Sequence, residues 1–247
     1  MKKIHANLKP GLHQTWPPRS NRSLILIEAV HSERHRQVRL LLDAGVNANC
    51  QDPETGHTPL IRAMFIENSR QRRSIIKTLL GYCGKVEKTD KEGKTAFAWA
   101  CLLARNDTIR FLFKEIHLDI GLGSVDCSRN DNLTLACASG NATTVRLIAE
   151  AFRRARIDMN RRNMNNETAL MVAHRLGFYD CVKVLVDEGY VATNMPKEIL
   201  YGEKKNSLGA LPRALQQDSN RSFTLPQIFS MYSDHLTNSF PRSVLKR

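Results

Sequence analysis

Residues 58–63 read TPLIRA: a threonine, a proline, an apolar stretch and a closing alanine. Related phrases stand at 24–29 (LILIEA), 95–100 (TAFAWA), 131–136 (DNLTLA) and 168–173 (TALMVA). Their third residues, Leu26, Leu60, Phe97, Leu133 and Leu170, lie 34, 37, 36 and 37 positions apart. Self-similarity at such a period marks a repeat architecture. Each unit is too small to bury its apolar face alone, so neighbours stack into a shared core. A protein built this way offers an extended surface and does not need a catalytic pocket.

The second half of each unit supports the same division. Eleven to thirteen residues past the closing alanine comes an apolar triplet: Leu40-Leu41-Leu42, Phe111-Leu112-Phe113, Leu147-Ile148-Ala149 and Val184-Leu185-Val186. The second unit delays its triplet by four residues, to Thr78-Leu79-Leu80, and the extra residues fall in ENSRQRRS at 67–74. Each unit therefore reads as a turn, a short helix, a loop, a second helix and a linker. Isolated helices shorter than about 12–15 residues are marginal in water, so packing between units must hold them.

Here the chain resembles the ankyrin-repeat family. TPLIRA matches the helix-opening signature, and VRLLLDAGVNAN (38–49), GKTAFAWAC (93–101) and ETALMVAHRLGFYDCVKVLVDEG (167–189) match longer parts of the unit. The phrase FRRARIDMNRRNMNNETAL is similar to the closing repeats of small vertebrate members such as the photoreceptor ankyrin-repeat protein. The resemblance implies an all-α solenoid of about five stacked helix-turn-helix units with hairpin linkers, at 23–54, 55–91, 92–127, 128–164 and 165–194. Thr58 would cap a helix whose first position is Pro59, where a missing N–H costs nothing. Gly45 and Gly189 would take the left-handed conformation after the second helices. The pattern is imperfect: the first unit lacks Thr-Pro, the fourth has Asp131-Asn132 there, and Cys83 stands where glycine is usual.

Outside the repeats, residues 1–22 read as a disordered basic tail whose Trp16 could tuck against the first unit. Residues 195–223 read as a linker and 239–247 as a basic C-terminal tail. Between them, 224–238 (TLPQIFSMYSDHLTN) carries Leu225, Ile228, Phe229, Tyr232 and Leu236 on one helical face. That amphipathic helix has two readings, a cap for the repeats or a motif for a partner's groove. No apolar run approaches the ~20 residues that span a bilayer, and no stretch of secretory length occurs. A cytoplasmic or nuclear monomer is expected.

The net charge of +13 is unevenly placed. The N-terminal 22 residues hold five Lys/Arg and no acid, and 195–247 hold eight against four. The repeats keep a balance of 24 basic to 20 acidic residues. Arg70, Arg72 and Arg73 form one cluster in the inserted segment, which also gives Ser74 the look of a basophilic kinase site. Arg153, Arg154, Arg156, Arg161 and Arg162 form another in a long fourth hairpin. Both read first as solubilising charge. The adjacent acids Asp187 and Glu188 read as solvated side chains at a helix end.

No chemistry declares itself. The six cysteines show no C-x-x-C spacing and suit reduced packing positions. His31 and His35 are four apart, but the repeat alignment puts a loop at Glu33 between them. No nucleophile elbow, phosphate loop or zinc-protease motif is present. No enzyme activity, cofactor or metal is expected.

What the resemblance implies instead is protein binding by an adaptor or regulator. Members of the family meet partners on a concave face of hairpin tips and first helices. Carried over residue by residue, those positions are Glu54, His57, Phe65 and Ile66. They continue with Lys91, Glu92, Lys94, Leu102 and Leu103, then Ser128, Asn130 and Ala138, and last Met164, Asn165, Glu167 and Arg175. Phe65, Ile66, Leu102 and Leu103 stand where polar residues are common and could form an exposed apolar patch. The alternative is a nuclear, transcription-associated regulator whose basic tails contact nucleic acid.

Overall fold

Each repeat phrase opens a helix, and the reason is visible at its first residue. In a computed structural model that describes residues 19–115 and 121–191, Thr58 Oγ1 accepts a hydrogen bond from the Ile61 amide at 3.1 Å. Thr95 does the same for Ala98, Asp131 for Thr134 and Thr168 for Met171. Each satisfies one of the amides that a helix start leaves open, typically worth about 1 kcal/mol. Asp131 is thus a true cap in the fourth unit, although burial raises its carboxyl above the usual range.

The described residues contain ten α-helices in five pairs: α1 (Arg19–His31) with α2 (His35–Asp43), α3 (Pro59–Ala63) with α4 (Ser69–Gly81), α5 (Ala96–Leu102) with α6 (Asn106–Glu115), α7 (Asn132–Ala138) with α8 (Ala142–Arg154), and α9 (Ala169–Arg175) with α10 (Tyr179–Asp187). First helices pack on first helices, α1 to α3 to α5 to α7 to α9, and second helices form the adjoining layer. The five marker residues Leu26, Leu60, Phe97, Leu133 and Leu170 are all buried in one continuous core. Instead of strands, the linkers of the described residues carry isolated antiparallel bridges, Thr89 to Thr95 and Val125 to Asp131.

Gly45 and Gly189 adopt φ of 79° and 71°, as the turn after a second helix requires. Cys83 fills the equivalent place at φ 59°. A side chain there is strained, because only glycine enters the left-handed region without a steric cost.

Several sequence expectations need correction. The segment 67–74 is not an inserted loop. From Ser69 it forms the first turns of α4, with Asn68 as the N-cap accepting from the Arg70 and Gln71 amides. Arg70 and Arg73 face outward, but Arg72 turns inward and is buried. The resemblance of 70–74 to a kinase site loses its basis, since one of its arginines is sequestered in folded helix. Arg153 and Arg154 likewise belong to the last turn of α8 rather than to a hairpin. At the N-terminus, α1 already starts at Arg19, so 19–22 is helix and not tail. Glu188 is more than solvated: Arg146 donates to both its carboxylate oxygens at 2.5–2.9 Å.

The second helices are tied unit to unit by polar side chains. The His35 ring nitrogen Nε2 pairs with Thr78 Oγ1 at 2.8 Å, with Glu33 at φ 56° between α1 and α2. Asn106 Oδ1 accepts from Thr144 Oγ1 at 2.8 Å. Arg72 makes the densest link. Its Nε donates to Thr108 Oγ1, Nη1 to the carbonyls of Ile66 and Glu67, and Nη2 to Asp107 Oδ1 at 2.6 Å.

All six cysteines are free thiols. Cys101, Cys137 and Cys181 lie inside first or second helices, as the sequence suggested. Burial pushes the Cys181 thiol up to about 12 and raises those of Cys101 and Cys137 as well. Such thiols are protonated and inert at neutral pH. Segments 1–18, 116–120 and 192–247 lie outside the described residues, and with them Trp16, the linker at 195–223, the 224–238 pattern and the C-terminal tail.

Candidate partner-binding face

The linker tips are built by one recurring residue type. Asp52, Asp90, Asp126 and Asn163 stand at the same place in successive units, and each turns its side-chain oxygen back on its own tip. Asp52 Oδ1 accepts from the Glu54 amide. Asp90 Oδ1 accepts from Glu92 and Lys94, and Asp126 Oδ1 from Ser128 and Asn130. Asn163 Oδ1 accepts from Asn165 and Glu167. Short Asx side chains favour this local bonding, which fixes the tip without a strand partner.

The tips are then linked in a chain. Lys91 donates its amide to the Thr55 carbonyl, Cys127 to Glu92, and Met164 to Ser128, at 2.9–3.2 Å. Close approach is what makes this possible. A Cβ added to Gly93 would sit 2.8 Å from the Cys127 nitrogen, and one on Gly56 2.8 Å from that of Lys91. The result is a backbone-bonded ladder running from the second unit to the fifth, on which Glu54, Lys91, Glu92, Ser128, Met164 and Asn165 are exposed. Met164 is 69% exposed, unusual for so apolar a side chain.

Behind the ladder, between α3 and α5, lies an aromatic cluster that sequence reasoning missed in part. The Phe65 and Trp99 rings are 4.9 Å apart, and the His57 ring stacks on Phe65 at 5.3 Å and meets Trp99 edge-on at 5.7 Å. Trp99 Nε1 donates to Asp90 Oδ2 at 2.6 Å, so the tip aspartate also anchors the indole. Arg62 lies over Phe65, and Lys94 lies over Trp99 while pairing with Glu92.

The expected apolar patch is not exposed. Ile66 and Leu102 are each only 4% exposed, and Phe65 and Leu103 are half-buried against the core. Leu102 is still within α5, which is packed between α3 and α7 and buries all seven of its residues. Ile66 closes the turn after α3, where the Arg72 guanidinium holds its carbonyl. His57 and Lys94 are buried too, and serve the cluster rather than the surface. Asn130 bonds to Asp126 and Asn163, and Ala138 packs on the core. Glu167 and Arg175 form a bidentate pair at 2.6 and 3.1 Å.

The residues missed were Asp90, Trp99 and Arg62. The steps of 38, 36 and 37 between Asp52, Asp90, Asp126 and Asn163 were a usable signal for the first. The other two occupy the fifth place of the repeat phrase, which Glu28, Leu135 and Val172 also fill, so pattern alone could not single them out.

His57 makes the cluster sensitive to acid. Burial lowers its pKa below the ordinary value of 6.5. Asp90, whose Oδ2 is 3.7 Å from Nε2, opposes this without overcoming it; Asp52 and Glu92 also oppose it and Arg62 reinforces it. His57 Nδ1 and Arg62 Nε have no hydrogen-bond partner among the described residues. Below pH 6.5 the unfolded chain therefore takes up a proton that the folded chain resists, and stability falls with pH until the lowered folded value is passed. Melting temperatures of the wild type and His57→Phe between pH 7.5 and 5 should show a smaller acid-side loss in the variant. Equal losses would mean that His57 is not desolvated in the folded protein.

Among the described residues no helix is long and apolar enough to cross a membrane, and no three His, Cys, Asp or Glu side chains converge as metal ligands would. A family model described as ankyrin repeats (3 copies) matches residues 26–122 and 121–195. The chain is 27% identical over 161 residues to ankyrin repeat domain-containing protein 63 of Mus musculus, and equally so to its Homo sapiens counterpart. Each alignment covers 64% of this chain but only 40% and 41% of those relatives, so the chain spans about two fifths of their length.

Proposed function

The chain belongs to the ankyrin-repeat family, and from that membership we propose that it is a non-catalytic adaptor or regulator that binds a protein partner along its ladder of linker tips. Members of this family generally act through protein–protein interaction and are typically non-catalytic. The observation that carries the reading here is the ladder itself. Four tips are bonded backbone to backbone, and each is stiffened by an Asx side chain. Binding energy depends on contacts that need not be ordered at the moment of association. A row of pre-ordered tips with outward Glu54, Lys91, Glu92, Ser128, Met164 and Asn165 meets that condition.

The half-buried Phe65, Leu103 and Ala138 and the paired Arg175 flank the row and complete the face. His57, Ile66, Lys94 and Leu102 act from beneath it by holding the shape.

The reading is tested by proximity labelling or affinity capture with the intact chain and with a tip variant combining Lys91→Glu, Met164→Asp and Asn165→Arg. All three residues are exposed, so folding should be retained. A partner lost from the variant and kept by the wild type supports the reading. A partner captured equally by both would move the binding surface elsewhere on the molecule.

A further inference from the structure

The opposite layer of the repeats carries charge that the tip ladder does not use. Helix α4 holds Arg70, Arg72, Arg73 and Lys77 and no acid, a charge excess equal to that of the whole of 23–194. Arg72 is consumed by Asp107 and buried. The other three lie at i, i+3 and i+7 and are exposed, so they form one outward stripe. Helix α2 beside it exposes Arg36 and Arg39, and α6 on the other side exposes Arg110 and Lys114.

The stripe is in register. Arg39, Lys77 and Arg110 each directly precede the apolar triplet of their unit, so stacking places them in a row. Arg146 continues that row in the fourth unit but is neutralised by Glu188. Among the described residues, Arg36, Arg70, Lys77, Arg110 and Lys114 have no carboxylate within ion-pair distance. The acids of these three helices are few: Asp43 is bonded to Tyr82, Asp107 to Arg72, and Glu115 stands at the end of α6.

A cleft of about 590 Å³ opens beside the row, at the C-terminal end of α4. Its lining combines the apolar Leu80, Val86 and Phe111 with two cations, Lys77 and Lys85, and two acids, Glu87 and Glu115. The Arg73 guanidinium lies 4.9 Å above the Phe111 ring and connects the row to the cleft.

We propose that the outer face of α2, α4 and α6 docks an acidic peptide segment of a protein partner, its carboxylates on the arginine and lysine row and one of its apolar side chains in the cleft. Charge complementarity names the sign of the occupant, and the aliphatic and aromatic lining names the rest. A nucleic-acid backbone would leave that lining unfilled. Packed helices stand 8–10 Å apart, so the row spans roughly 20 Å, the length of about six extended residues. The inference rests on the protein-binding reading of the family but uses a different surface from the tips.

The test is titration of a fluorescent acidic peptide of about ten residues, rich in glutamate with a central Leu-Phe pair, against the full chain. Binding should weaken as salt rises. Combined Arg73→Glu, Lys77→Glu and Arg110→Glu should weaken it about tenfold or more. A control with the same charge change in another place, Arg153→Glu, Arg156→Glu and Arg162→Glu, should stay within about twofold. All six residues are exposed, and matching melting curves confirm that the variants fold. Equal losses in both variants, no binding of the peptide, or tighter binding of an oligonucleotide or of phosphatidylserine vesicles would each overturn the proposal. The tip variant separates the two surfaces: if it loses the captured partner yet still binds the peptide, the two surfaces act independently. If the captured partner is kept by the tip variant and lost on reversal of the row, the tip reading fails and the outer-face proposal stands.

Discussion

Arg72→Ala lowers the stability of the array by about 2–5 kcal/mol, the combined cost of buried acceptors left without their donor and of the void the side chain leaves. The side chain is 2% exposed and donates to four acceptors in the stretch before α4 and at the start of α6. Truncation leaves Thr108 Oγ1 and the Ile66 carbonyl buried without this donor and opens a void between two units. Asp107 adds little to the loss, because its side chain is 43% exposed and can be rehydrated. Urea denaturation of Arg72→Ala, Arg72→Lys and Asp107→Asn orders the contributions. The lysine variant should recover only part of the loss, since an ammonium cannot reproduce the guanidinium fork. Asp107→Asn should cost least. Wild-type stability in Arg72→Ala would show that the guanidinium is solvated and that the helix register of α4 is wrong.

The same arginine shows where sequence reading stops. The repeats were legible because burial imposes a period on apolar residues, and Leu26, Leu60, Phe97, Leu133 and Leu170 all proved to be core. The cap at Thr58 was legible for a local reason, as the acceptor and the amide it serves are three residues apart, and Thr95 and Thr168 hold the same place in their own phrases. Arg72 was not. Its partners Asp107 and Thr108 lie 35 and 36 residues on, in the next unit, and nothing local distinguishes it from Arg70 and Arg73. Ile66 and Leu102 failed in the same way. Their places just after the repeat phrase suit exposed polar residues, and only the packing of α5 between α3 and α7 and the hold on the Ile66 carbonyl decide otherwise. Contacts within a unit are written in the pattern of that unit. Contacts between units depend on which side chain the neighbour happens to offer.

Trp99→Ala is expected to cost a further 3–5 kcal/mol, the range for emptying a large aromatic site in a core. The indole is 4% exposed and joins three parts of the binding face. Its ring packs against Phe65 and His57 of the second unit, and its Nε1 anchors Asp90. Asp90 in turn accepts from the Glu92 and Lys94 amides that shape the second of the four tips. Removing the ring therefore destabilises the α3–α5 boundary and loosens a tip together. Trp99→Phe separates the two effects: it keeps most of the packing and leaves Asp90 Oδ2 without the indole N–H, for a loss of about 1–3 kcal/mol. Hydrogen exchange at the amides of Glu92 and Lys94 reports the tip, and urea denaturation reports the core. In Trp99→Phe the exchange should quicken while most of the stability remains; in Trp99→Ala both should change. A Trp99→Ala protein within 1 kcal/mol of the wild type, with protected tip amides, would show that the aromatic cluster is not what positions the ladder.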